Sequence, residues 1–185
     1  MPEQKNFFSK ISDWANERNI LRIEFNKCAQ ASFIAEELAE LAMSKSDNER
    51  IDAYCDLIVY CSNAICAHEQ DDIDVYFHVS RNYQEVVDAF PDDPFDSIIL
   101  KALSILLRQD DSVFESLLFI IIMSMLAIRT LEYDVDLAME ETLKEINSRV
   151  GAFNPVSGKW EKDKSPQAQA NWYKADYDVA RLQKF

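Results

Sequence analysis

The sequence predicts an all-α fold, and three observations carry that prediction. The 185-residue chain holds only two glycines, Gly151 and Gly158, and five prolines. Ala, Leu, Glu and Ile, which favour helices, fill long amphipathic runs. The breaks between those runs carry capping and turn chemistry, as in SKSDNE and PDDP. With 48% hydrophobic residues, the chain can bury the core of a single domain spanning 1–185.

The first helix is expected over about Asn6–Arg18, with Trp14 anchoring it on the core. A short extended link, Asn19–Glu24, leads to a second helix over about Phe25–Ser44. The turn SKSDNE offers Ser46 or Asp47 as N-cap for a third helix over about Asn48–Ala67. The stretch Glu69 to Asp74 is a charged break. A helix over about Val75–Phe90 and the turn Pro91 to Pro94 follow, then helices over about Phe95–Arg108 and Ser112–Leu131. The uncharged run Ser116 to Ile128 is shorter than the roughly 20 apolar residues of a membrane span, so it reads as a buried helix. Asp134 caps the last main helix, about Asp134–Arg149, and Gly151 is expected to end it as a C′ glycine. Residues 152–185 form a polar, aromatic tail, expected to be a loop plus a short helix over about Pro166–Leu182 wrapping the body.

A weak internal repeat at an offset of 60 lays Phe33–Asp52 on Asp93–Ser112. Under it, Glu37, Glu40, Asp52 and Asp56 correspond to Ser97, Leu100, Ser112 and Ser116, so the second copy lacks every acid. Residues 69–110 are then either an insertion or part of a degenerate repeat.

Composition removes several function classes. A net charge of −14 repels phosphate backbones, so duplex nucleic acid is not an expected partner. A small phosphate ligand stays possible where a bound divalent cation inverts the local charge. Two glycines cannot build a P-loop or a dinucleotide-binding turn. Cys28, Cys55, Cys61 and Cys66 match no strong zinc spacing and are expected to be reduced. The N-terminal MPEQKNFF lacks an apolar signal region, and neither secretion nor membrane insertion is expected; the expected location is cytoplasmic.

Two acidic clusters carry the functional signal: Glu36, Glu37 and Glu40 in AEELAEL, then Glu49, Asp52 and Asp56 in NERIDAYCDLIVY. Spacings of three and four place each cluster on one helical stripe. A short turn makes the two helices antiparallel and sets the stripes side by side. Carboxylates that face one interior need a cation between them, and a hard divalent ion such as Mg²⁺ prefers such oxygens. A solvated surface helix also reads EELAEL. The two Asp residues within an apolar helix argue against that reading, because Asp is a poor helix-interior residue.

Several segments in order then resemble phage-type MazG nucleotide pyrophosphohydrolases, members of the all-α NTP pyrophosphohydrolase superfamily. They are W-A-x-x-R-N-I (Trp14 to Ile20), Q-x-x-x-x-x-E-E-x-x-E-L (Gln30 to Leu41), D-A-x-x-D-x-x-V (Asp52 to Val59), E-I-x-x-R-x-G (Glu145 to Gly151) and G-K-W-x-K (Gly158 to Lys162). The resemblance covers about residues 11–66 and 113–163. It implies hydrolysis of a (d)NTP between the α and β phosphates, giving a monophosphate and pyrophosphate. It also implies Mg²⁺, with Mn²⁺ as a substitute, on Glu37, Glu40, Asp52 and Asp56. Glu36 would orient water or support the ligands, Glu49 is a reserve ligand, and a homodimer is expected. The chain departs from the family at Phe33, where a Lys is usual, and at Cys55, where a Gly is usual; Phe33 puts a phosphate contact in doubt.

Substrate-binding candidates are Arg149, whose guanidinium fork suits phosphate, with Lys144 and Asn147 beside it. Lys159 and Lys162 could close over phosphates, and Asn19, Gln30 and Asn63 could read a base or sugar. Trp14 and Trp160 could stack on a base. The competing reading is a helical module that binds nucleotide or a protein without turnover. A di-iron carboxylate bundle is excluded, because neither His68 nor His78 follows a Glu by three.

Overall fold

The computed structural model describes residues 6–20, 25–69, 74–89, 95–108, 112–154, 156 and 159–183. The protein is all-α. Its long helices are α1 (Phe7–Glu17), α2 (Lys27–Met43), α3 (Asp47–Glu69), α4 (Val75–Ala89), α5 (Phe95–Arg108), α6 (Val113–Thr130) and α7 (Val135–Ser148). A hairpin of β1 (Gly151–Asn154) and β2 (Lys159–Lys162), the one-turn α8 (Pro166–Gln169) and a 3₁₀ turn (Tyr177–Ala180) complete the order.

Caps explain why the long helices begin where they do. Asn6, Asn26 and Asp134 each accept a hydrogen bond from the amide three residues on. Ser46 does the same for Glu49 at the start of α3.

The α6 helix is the centre of the core. It buries Leu117, Ile120, Ile121, Ile122, Met123 and Ile128 completely, and it packs on α3, α4, α5 and α7. Each such aliphatic side chain contributes about 1.5–3 kcal/mol by leaving water. Among the described residues α6 alone has the length and apolarity to cross a bilayer. Most of its side chains nevertheless face protein. The second core helix is α3, which packs on α6 and α2, while α5 packs on α6 and α2. The hairpin α2–α3 thus faces the hairpin α5–α6, each helix against its counterpart at the offset of 60. Arg50 and Tyr54 of α3 both donate to Asp96 of α5 and pin the two hairpins together.

Four expectations need correction. The link after α1 begins as a turn: Asn19 adopts φ 57°, and its amide donates to Asn16. Asn tolerates that left-handed conformation, so the link opens with a helix-ending turn at Asn19. Gly151 is not a left-handed cap. The chain leaves α7 extended at Arg149, and Gly151 opens β1. A Cβ there would lie 2.3 Å from the Glu161 carbonyl and 2.6 Å from the Trp160 indole, so the glycine serves a close approach. The expected loop after it is an antiparallel hairpin pairing Phe153 with Trp160. The expected tail helix over Pro166–Leu182 shrinks to α8 and the 3₁₀ turn, because the tail's backbone donors go to the body instead. The Ala175 and Asp176 amides donate to Glu145 and Glu141, and the Leu182 amide donates to Glu132. Residues 21–24, the charged break at 70–73, the turn at 91–94 and Gly158 lie outside the described residues.

Candidate functional site

The site is built on α2 and α3. The buried stripe of α2 reads Ala31, Ile34, Glu37, Leu41, so a carboxylate occupies a core position between two aliphatic ones. Glu37 is only 5% exposed, and its Oε2 has no hydrogen-bond partner. Burial, then repulsion from Asp56, Glu40, Asp52 and Glu36, pushes its pKa up to about 8. On α3, buried aliphatics surround one polar stripe at four- and three-residue steps: Asp52, Asp56, Tyr60 and Asn63. Burial, then Asp52, pushes Asp56 up to about 7, against the pull of Arg149 and Lys162. Asp52 is also raised, mainly by burial, while the Tyr177 hydroxyl, Arg149 and Lys174 oppose the rise.

The structure therefore brings Glu37, Asp52 and Asp56 into one electrostatic cluster, with Glu36 and Glu40 exposed at its edge. Glu49 is spent elsewhere: its carboxylate accepts the Lys45 amide in the α2–α3 turn. Among the described residues, no three acidic, His or Cys side chains converge as a ready-made metal-holding group.

Three contributors escape the sequence reading. Glu145 of α7 adds a further carboxylate that repels both Asp52 and Asp56. It also pairs with Arg149 and accepts the Ala175 amide at 2.8 Å. Tyr177, from the tail, donates to Asp52 at 2.6 Å, and its oxygen lies 3.0 Å from the Thr142 hydroxyl. The one sequence signal for these was Glu145 in E-I-x-x-R-x-G; nothing local marks Tyr177 or Thr142.

Beside the acids lies a cavity of about 460 Å³. Asp56, Arg149 and Lys162 line it together with five aromatic rings: Trp14, Phe25, Phe33, Tyr60 and Trp160. Phe33 and Tyr60 stack with centroids 5.3 Å apart. Arg18 lies over both Trp14 and Trp160, at 5.1 and 5.6 Å from their centroids, and couples the hairpin to α1. Trp14 also donates to the Ile146 carbonyl at 3.4 Å, so it anchors α1 while lining the cavity. The Lys162 pKa is lowered, first by burial of its ammonium and then by Arg149, while Asp56 opposes.

The other binding candidates divide. Gln30 lines the cavity and donates to the Tyr60 carbonyl at 3.1 Å. Asn19 sits in the turn after α1 and does not line the cavity. Lys144 pairs with Glu141, which also accepts from Tyr173 and the Asp176 amide, so it belongs to the tail's docking cluster. Asn147 donates back to Leu143 in its own helix at 2.8 Å. The Lys159 backbone pairs with Asn154, and its side chain lies outside the described residues.

No family model, curated protein or solved structure matches the chain. The fold and site by themselves define a helical domain with a carboxylate cluster whose Asp56 lines an aromatic pocket.

Proposed function

We propose that this chain is a Mg²⁺-dependent nucleoside triphosphate pyrophosphohydrolase of the phage-type MazG kind, acting in the cytoplasm. The observation that carries the reading is Glu37, a core-position carboxylate with an orphaned oxygen, coupled to Asp56 at the edge of an aromatic pocket. A buried acid without a partner is costly, and a hard cation is the ligand that relieves it. Mg²⁺ prefers carboxylate oxygens, and Glu37, Glu40, Asp52 and Asp56 would hold it. When bound, the ion would neutralise phosphate charge and make a water more acidic.

The chain's own groups supply the rest. Arg149, kept oriented by Glu145, would clamp phosphate oxygens through its fork, with Lys162 beside it. Tyr177 holds Asp52 in position through its hydroxyl. Glu36, exposed next to Glu37, would take the proton as water attacks phosphorus and pyrophosphate leaves. The aromatic walls would stack on the base and exclude water from that face. A homodimer is the proposed assembly, and the packing of α5–α6 on α2–α3 would let one chain supply much of its bundle.

The test is pyrophosphate release from a panel of dNTPs and NTPs with Mg²⁺ or Mn²⁺. Release from at least one triphosphate is expected, lost in Glu40→Gln and in Asp56→Asn with helical content unchanged. No release from any triphosphate at micromolar protein overturns the catalytic reading, and nucleotide binding without release would leave the module reading.

A further inference from the structure

We infer that Asn63 reads the donor edge of the substrate's base, so that the pocket selects bases carrying an N–H at the edge facing α3. The inference rests on the nucleotide reading above. Asn63 lines the aromatic cavity, and its Oδ1 is buried with no hydrogen-bond partner. It stands at the wall shared with a second cavity of about 320 Å³, between Tyr60 and Ala64 on the one side and Ser62 and Cys66 on the other.

The placement along α3 supplies the geometry. Asp56 and Asn63 lie on one stripe, seven residues apart, or about 10 Å along the axis at ~1.5 Å per residue. That span suits a nucleotide whose phosphates lie beside Asp56, Arg149 and Lys162. Its base would then lie among Tyr60, Phe33, Trp14 and Trp160, with the far edge at Asn63. Bases are read through stacking on aromatic rings combined with hydrogen bonds to their edges. A buried amide oxygen without a donor costs stability until something donates to it. The available donors on a base are an exocyclic amino group or a ring N–H. A base that lacks the donor leaves Oδ1 orphaned in the complex as well, and the site rejects it.

Calorimetric titration of the full chain with matched nucleoside 5′-monophosphates tests this. The pairs are adenosine against purine riboside, cytidine against pyrimidin-2-one riboside, and thymidine against 3-methylthymidine. For the tightest natural base, wild type should bind the donor-lacking partner about tenfold to a hundredfold more weakly. Asn63→Leu should bind the two members of that pair equally, whereas Asn63→Asp, which keeps an acceptor, should still discriminate. Circular dichroism reports whether Asn63→Leu is folded; if it is not, the wild-type pair and Asn63→Asp decide. Equal binding of the pair by wild type, or unchanged discrimination in folded Asn63→Leu, overturns the role of Asn63 alone. Binding of none of the nucleotides overturns the nucleotide reading with it.

Discussion

Replacing Glu37 by Gln should stabilise the metal-free protein while disabling it. Burial and four neighbouring acids raise the Glu37 pKa from 4.5 to about 8. Between those values the unfolded chain has released a proton that the folded chain keeps, so stability must fall as pH rises through this window. The separation, at about 1.4 kcal/mol for each factor of ten in proton affinity, is roughly 5 kcal/mol when complete. Gln keeps the shape and drops the charge, but it still buries a polar group, so part of that penalty stays. Urea unfolding in chelator should show Glu37→Gln more stable than wild type by roughly 2–4 kcal/mol at pH 8.5, and the two nearly equal near pH 5. Magnesium should narrow that gap at pH 8.5. An ion at about a hundred times its Kd adds roughly 2.7 kcal/mol to wild type, and the variant, short of a ligand, gains less. A variant less stable than wild type at both pH values in chelator would refute the reasoning. So would a wild type whose stability is flat from pH 5 to pH 8.5.

Tyr177→Phe removes the hydroxyl that donates to Asp52 and contacts Thr142; a loss of about 1–3 kcal/mol is expected by denaturant titration. The Asp52 carboxyl should titrate higher, read by carbon-detected NMR, because that hydroxyl favours its charged form. Gly151→Ala drives a methyl into the Glu161 carbonyl and the Trp160 ring. It should cost about 1–3 kcal/mol by denaturant titration and shift tryptophan emission; unchanged stability and emission would remove the close approach as the reason for glycine. Arg149→Lys keeps the charge and loses the fork; the KM for the best triphosphate should rise about tenfold with a smaller change in kcat, and an unchanged KM would remove Arg149 from phosphate binding.

Much of the fold is legible because helices are written in short-range terms. Apolar residues three and four apart and breaks with little apolar content mark α1 to α7 to within two residues. Part of the site is legible for the same reason. Glu37 is in register with Ile34 and Leu41, so the pattern itself places an acid on the core stripe. The hairpin is not legible: GAFN and KWEK are four residues each, too short for a period to show. Lys144 and Arg149 are both phosphate-binding candidates in the sequence, yet one faces the tail and the other the pocket.

What the sequence by itself determined is the all-α class, the helix boundaries and the two acidic stripes, since each rests on residues within a turn or two of one another. The tertiary structure alone decided that Glu37 is orphaned rather than paired, that Glu145 joins the acids, and that Trp160, tied to Trp14 through Arg18, lines the pocket. It also decided that Tyr177 reaches Asp52 from 125 residues away. Such contacts form when helix faces and the tail pack together, and burial in that packing, rather than spacing along the chain, sets the charge state of the acids.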